Sequence, residues 1–378
     1  MVRLGEVATY INGYAFKPTD WSDKGVPIIR IQDLTGSAYK TNYFDGIVAE
    51  KYKVVSGDVL ISWSASLGVY VWDKEDAVLN QHIFKVVFDK ADVDESFFVH
   101  QVRNILDKAG NETHGATMKH LTRPVFDALE FYLPSKKVQR KIARTFDKID
   151  VMIGQRSQQL RNLDELVKAR FVEMFGDIVV NTRLLPAYIL KDLASLITKG
   201  ASPNWQGFNY TEDEDQTLFV TSENVRDGYL DFSKAKYIED GFNEKQKRSV
   251  LQKGDFLINI VGASIGRAAQ FNIDKKANIN QAVSLVRVKD ERIVDAYLLE
   301  YLNSEKALQM YFAMQSDTGR ANLSLEDIGN LVILLPPVNE QKIFAAFVQQ
   351  IDKSKLEVQK SLDKLQTLKK ALMQKYFG

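Results

Sequence analysis

Residues 335–378 read LPPVNEQKIFAAFVQQIDKSKLEVQKSLDKLQTLKKALMQKYFG, and residues 133–176 read LPSKKVQRKIARTFDKIDVMIGQRSQQLRNLDELVKARFVEMFG. The two align without a gap at an offset of 202. Leu133-Pro134 matches Leu335-Pro336, Gln139 matches Gln341, Ile149-Asp150 matches Ile351-Asp352, and Phe175-Gly176 matches Phe377-Gly378. Each copy reads as one long helix, because apolar residues recur every seven positions. In the first copy Phe146, Ile153, Leu160 and Val167 form one stripe, and Ile142, Ile149 and Leu163 form a second that Arg156 and Arg170 interrupt. In the second copy Phe344, Ile351, Val358, Leu365 and Leu372 are unbroken, while the other stripe is interrupted by Lys355 and Lys369. One continuous stripe per helix predicts that the two pair. The chain order, with a second body between them, makes an antiparallel coiled coil the simplest solution. Proline suits the start of each helix and Gly176 the end of the first.

Working outward, the repeat continues upstream more loosely. Gly57-Asp58-Val59-Leu60-Ile61 resembles Gly254-Asp255-Phe256-Leu257-Ile258, and Asn80-Gln81 resembles Asn280-Gln281. The offset drifts here, so the front of each half varies while the back is fixed. Two similar halves can present two similar surfaces about a pseudo-two-fold axis. Duplex DNA, two-fold in its own backbone, suits such a surface pair. The expected fold class is α+β: two mixed α/β recognition domains, at 1–134 and 177–336, joined and separated by helices at 135–176 and 337–378. Within the bodies, strands are predicted at 26–31, 59–62, 68–71, 82–87, 256–260 and 282–288, and helices at 95–108 and 293–311.

Composition excludes several classes. The 378-residue chain has no cysteine, so thiolate metal sites and disulfides are absent and a reducing cytoplasm is expected. No signal pattern and no membrane-length apolar run is present, which predicts a soluble protein with no membrane partner. The net charge of +1 hides a partition. Residues 135–176 hold ten basic and five acidic residues, and 337–378 hold eight and four, leaving 32 basic and 40 acidic elsewhere. The bodies are therefore acidic, so if they bind DNA they do so through local basic and aromatic patches, or with a basic partner supplying the phosphate contacts, rather than by bulk charge. There is no P-loop and no Asn-Pro-Pro-aromatic or Asp-Pro-Pro-aromatic tetrapeptide, and the four histidines lack metal-ligand spacing.

Loops in the bodies mix amides, bases and aromatics, the side chains that read base edges. The candidate DNA contacts are Lys17, Arg30, Gln32, Trp63 and Lys119 in the first body. In the second they are Lys199, Asn204, Trp205, Ser222, Asn224, Arg320 and Asn322. Gly262-Ala263-Ser264-Ile265-Gly266 is read as a tight turn between strands rather than a phosphate cradle, since its counterpart at 64–68 keeps only the last glycine.

The order of variable body, Leu-Pro, long helix, variable body, Leu-Pro-Pro and Asn-Glu-Gln-Lys-Ile helix resembles the specificity subunit of type I restriction-modification systems. The match spans the chain and is sharpest at 335–343, at 133–142, in the Gly-Asp strands and in the Asn-Gln pairs. Ser135-Lys136-Lys137-Val138 departs from the second copy's pattern. The resemblance implies a non-catalytic subunit whose two target recognition domains each read half of a split sequence in double-stranded DNA. It implies helices that set the spacing and dock two methyltransferase subunits and, through them, restriction subunits. S-adenosylmethionine, ATP and magnesium would belong to those partners, with no cofactor in this chain. Two other classes stay open on the residues alone: a stand-alone DNA-modifying enzyme, which would turn over without partners, and a helical adaptor, which would prefer no duplex.

Overall fold

Both repeated stretches are helical throughout, over Lys136–Phe175 and Val338–Phe377. The structure is a computed structural model that describes residues 1–112, 121–314 and 322–378. The chain forms two compact α+β units, one of residues 1–157 with 360–378 and one of 158–359. Each unit therefore uses the start of one long helix and the end of the other.

In the first unit an antiparallel sheet runs in the order Thr9–Asn12, Ile83–Val87, Val59–Ser62, Gly68–Val71. A second, mixed sheet runs Tyr43–Phe44, Val26–Ile29, Ala77–Leu79, Lys53–Val54, with its two central strands parallel. The second unit repeats the plan. Its antiparallel sheet is Ala194–Lys199, Val283–Val288, Phe256–Asn259, Ala268–Gln270. Its mixed sheet is Tyr210–Thr211, Tyr237–Ile238, Thr217–Val220, Ala277–Ile279, where the last two are again parallel. Alternating apolar residues supply the core faces. One expectation needs correction. The helix predicted over 293–311 is two helices, Asp295–Asn303 and Glu305–Met314. Ser304 takes extended dihedrals between them, and its Oγ accepts the Ala307 N–H at 3.1 Å, capping the second helix.

The long helices complete each core. In the first unit Ile142 and Phe146 belong to the cluster of Tyr10, Phe84, Phe97, Phe98 and Phe131, and Leu372, Tyr376 and Phe377 pack onto it. The Phe146 and Phe377 rings stack at 5.6 Å, while Lys369 pairs with Asp150 one turn further on, so these segments run antiparallel. In the second unit Phe171 and Phe175 meet Phe344 edge-on at 5.6 and 5.5 Å, and Lys355 pairs with Asp164 at 2.6 Å, again antiparallel. Of the seam residues, Ile142, Phe146, Ile149, Val167, Phe344, Ile351 and Val358 are buried. Ile153, Leu160, Leu163, Leu365 and Leu372 are half-buried.

Repeated motifs turn out to be joints. Gln139 accepts from the Asp94 N–H at 2.8 Å and donates to the Asp92 and Pro134 carbonyls. Gln341 does the same with the Val294 N–H at 2.9 Å and the Arg292 and Pro336 carbonyls. Both glutamines are buried. Asp58 and Asp255 each accept the backbone N–H three residues upstream, from Val55 and Gln252, and pair with a cation on the neighbouring strand. That cation is Lys85 at 2.7 Å in one unit, and Arg287, held through both carboxylate oxygens at 2.7 Å, in the other. The stretch Gly262–Ser264 is a short helical turn between strands, as expected.

Candidate nucleic-acid interface

In each unit the ends of strands from both sheets converge on one junction. In the first, the Tyr14 N–H donates to the Leu79 carbonyl at 2.7 Å, and the Gly13 N–H to Ile83 at 3.1 Å. The Asn80 N–H donates to Ile29 at 3.1 Å, Trp63 to His82 at 3.5 Å, and Leu121 to Trp63 at 3.1 Å. In the second, the Asn280 N–H donates to Val220 at 3.0 Å, Ile260 to Ala282 at 3.0 Å, and Leu323 to Ile260 at 2.9 Å. The last three bonds of one unit thus recur in the other. A Cβ on Gly13 would lie 2.2 Å from the Asn80 carbonyl oxygen, and one on Gly200 would lie 1.8 Å from that of Ile279. Only glycine allows this approach of the first strand's end to the Asn-Gln turn.

The junction carries many of the residues singled out from sequence. Lys17, Gln32, Lys199, Asn204, Trp205 and Asn322 are exposed on it or on the segments that leave it, and Ser222 is half-buried. Asn322 bridges to Val261 beside the strand end. Arg30 is committed to the fold: its Nε meets Asp33 at 3.3 Å, a terminal nitrogen donates to the Lys40 carbonyl at 2.8 Å, and the guanidinium lies 6.0 Å from the Trp21 ring. Trp63 is half-buried with its ring stacked on Phe84 at 5.7 Å, so both residues support the loops. Asn224 is corrected as a candidate reader. It is buried, its Oδ1 accepts from the Thr221 N–H and hydroxyl, and its Nδ2 donates to the Asp231 carbonyl, which leaves no edge for a base. Lys119 and Arg320, with His114 and His120, lie outside the described residues.

Sequence reading missed three features. Gly13 and Gly200 are essential to the junction, and a glycine closing a strand in both halves was the available signal. Trp21 is exposed beside Arg30 and drew no notice, because its half-repeat partner is displaced by loop-length differences. Among the described residues no three His, Asp or Glu side chains come together to hold a metal ion. No helix among them is long and apolar enough to cross a membrane.

The family model described as type I restriction modification DNA specificity domain matches residues 1–162 and 188–370, and the chain belongs to that family. It is 25% identical to the EcoBI specificity subunit of Escherichia coli, over 100% of this chain and 85% of that protein. It is 22% identical to the MjaVIII specificity subunit of Methanocaldococcus jannaschii, over 99% and 90%. Among solved structures it resembles the S subunit from M. genitalium, with a TM-score of 0.56 and 13% identity over 100% of this chain and 95% of that one. A chain from a structure of the type I R-M system gives 0.58 at 17%, over 100% and 96%. Specificity subunits are non-catalytic and work within a complex.

Proposed function

We propose that this chain reads a two-part target in double-stranded DNA, with residues 1–134 and 177–336 as target recognition domains, one per half-site. The observation that carries the reading is the junction built twice. The same backbone bonds hold both copies, while the exposed side chains on the segments around them differ: Lys17 and Gln32 in one unit, Lys199, Asn204 and Asn322 in the other. A constant frame with variable contacts is what two half-sites of different sequence require. The DNA contacts within that proposal are Lys17, Gln32 and Lys119 in the first domain, and Lys199, Asn204, Trp205, Ser222, Arg320 and Asn322 in the second. The helices at 135–176 and 337–378 act as an antiparallel coiled coil that relates the domains by a pseudo-two-fold axis and fixes the gap between half-sites. Two methyltransferase subunits dock on this scaffold, and restriction subunits through them. Those partners supply S-adenosylmethionine, ATP and magnesium, in the cytoplasm where the DNA lies. Mapping methylated positions in a host genome that expresses this chain with its methyltransferase subunits tests the proposal. It expects one bipartite motif with a fixed gap; methylation at a single contiguous motif contradicts it.

A further inference from the structure

The chain has four tryptophans. Trp63 and Trp72 are tucked into the first unit, one half-buried and one buried. The other two, Trp21 and Trp205, are 46% and 89% exposed. They lie in corresponding segments of the two halves, though not at matched positions: Trp21 comes three residues after Pro18 and Trp205 two after Pro203. Each follows the glycine that closes the first strand of the antiparallel sheet and accompanies a short turn begun by proline: Trp21 directly after Pro18–Asp20, Trp205 within Pro203–Gln206. Both turns are anchored from below. In the first, Phe16 is buried with its ring 5.1 Å from Phe44, and Arg30 lies over Trp21. In the second, Pro203 is buried, Phe208 meets Phe242 edge-on at 5.7 Å, and Lys245 holds the Gln206 carbonyl at 2.9 Å. A single exposed aromatic needs no explanation. Two of the largest apolar side chains, exposed on anchored turns of corresponding segments beside a junction whose other side chains diverge, call for a shared ligand feature that carries no sequence. The stacked face of a base step is such a feature.

We propose that Trp21 and Trp205 are apolar wedges, each inserted against one base step of its own half-site, with Arg30 as the positioning residue behind Trp21. The proposal rests on the DNA-reading function above and adds the mode of contact. A wedge fixes the register of each domain on the duplex by unstacking a step, and leaves base identity to the amides and cations around it.

The test uses the complex of the full chain with its methyltransferase subunits. The probes are duplexes carrying the methylation-mapped target, with 2-aminopurine at successive steps of each half-site. Trp205→Ala is expected to weaken target binding about tenfold, the size of a lost base–aromatic stack. Trp205→Phe should restore most of it. The slope of log affinity against log salt should stay constant, since no phosphate contact is removed. A 2-aminopurine enhancement in the half-site of the second domain should vanish in Trp205→Ala alone, and one in the other half-site in Trp21→Ala alone. Unchanged unfolding midpoints confirm that the exposed rings are not structural. Binding within twofold of wild type for both alanine variants overturns the wedge, as does a reduced salt slope or an enhancement that persists. A wild-type complex with no preference for the mapped duplex overturns the function itself, a result distinguishable from either.

Discussion

At the scale of single residues, the repeat separates what the fold needs from what the site varies. Gln139 and Gln341 each satisfy one backbone N–H and two carbonyls in a dry setting. Gln341→Ala leaves those groups buried and unpaired, and should cost about 3 kcal/mol of stability in denaturant unfolding; a loss under about 0.5 kcal/mol would show the joint to be incidental. The repeat also places His100 and Glu300 at one position of the fold, with opposite consequences for pH. Burial holds the His100 imidazole below its usual value, outweighing the Asp147 hydrogen bond that acts to raise it. The folded chain then binds that proton less readily than the unfolded chain, so stability falls as pH drops through the ordinary histidine range of about 6.5. Burial raises the Glu300 carboxyl, against the pull of Lys168 and Lys355. Its contribution is present below the ordinary glutamate value and is lost as pH rises past about 4.5. Unfolding measured across pH should show Glu300→Gln stabilising the protein at pH 7 but not at pH 4, and His100→Gln flattening the loss between pH 7 and 5. The same sign for both variants at pH 7 and at pH 4 would contradict the account. The sequence marked Gln139 and Gln341 as a matched pair, yet most of their partners lie 45 to 49 residues upstream, in contacts that only the folded chain creates. Asn224 shows the converse: an amide of the right chemistry in a loop cannot be told by composition from one that holds its own turn.

At the scale of elements, the long helices were the most legible part of the chain, because a seven-residue period over forty positions has few other readings. The breaks in the stripe were legible only as breaks. Lys355 and Lys369 interrupt the apolar pattern because each faces an aspartate of the opposing helix, Asp164 and Asp150. Phe344, fully buried like Phe146, should be among the most costly seam positions: Phe344→Ala is expected to lose about 3–5 kcal/mol in equilibrium unfolding. Half-buried Leu365 should lose clearly less on the same substitution. Equal losses would mean that burial does not set the energetics of the seam. The helix at 293–311 was misjudged because its apolar pattern runs through Ser304, and a serine that caps one helix while ending another leaves that pattern intact. On the proposed spacer role, four residues inserted after Leu160 add ~6 Å of helix. Methylation mapping should then find the same half-sites with the gap longer by about two base pairs; an unchanged gap with altered bases would exclude the ruler.

At the scale of the whole molecule, the duplication and the charge partition point the same way. Basic residues concentrate in the repeated helices and the bodies are acidic, so on the proposed function DNA is held by local contacts on the bodies or with a basic partner, not by the bodies' bulk charge. The fold class and the existence of two halves were readable because duplication leaves collinear traces. The junction was not, because it is assembled from strand ends far apart in sequence. The central claim is that each half reads its own half-site. Its most direct test replaces residues 177–336 with the corresponding domain of a relative of different specificity, leaves the helices in place, and maps methylation in the host genome. The account predicts that one half of the bipartite motif changes while the other half and the gap stay as they were. A change in both halves, or in neither, would contradict it.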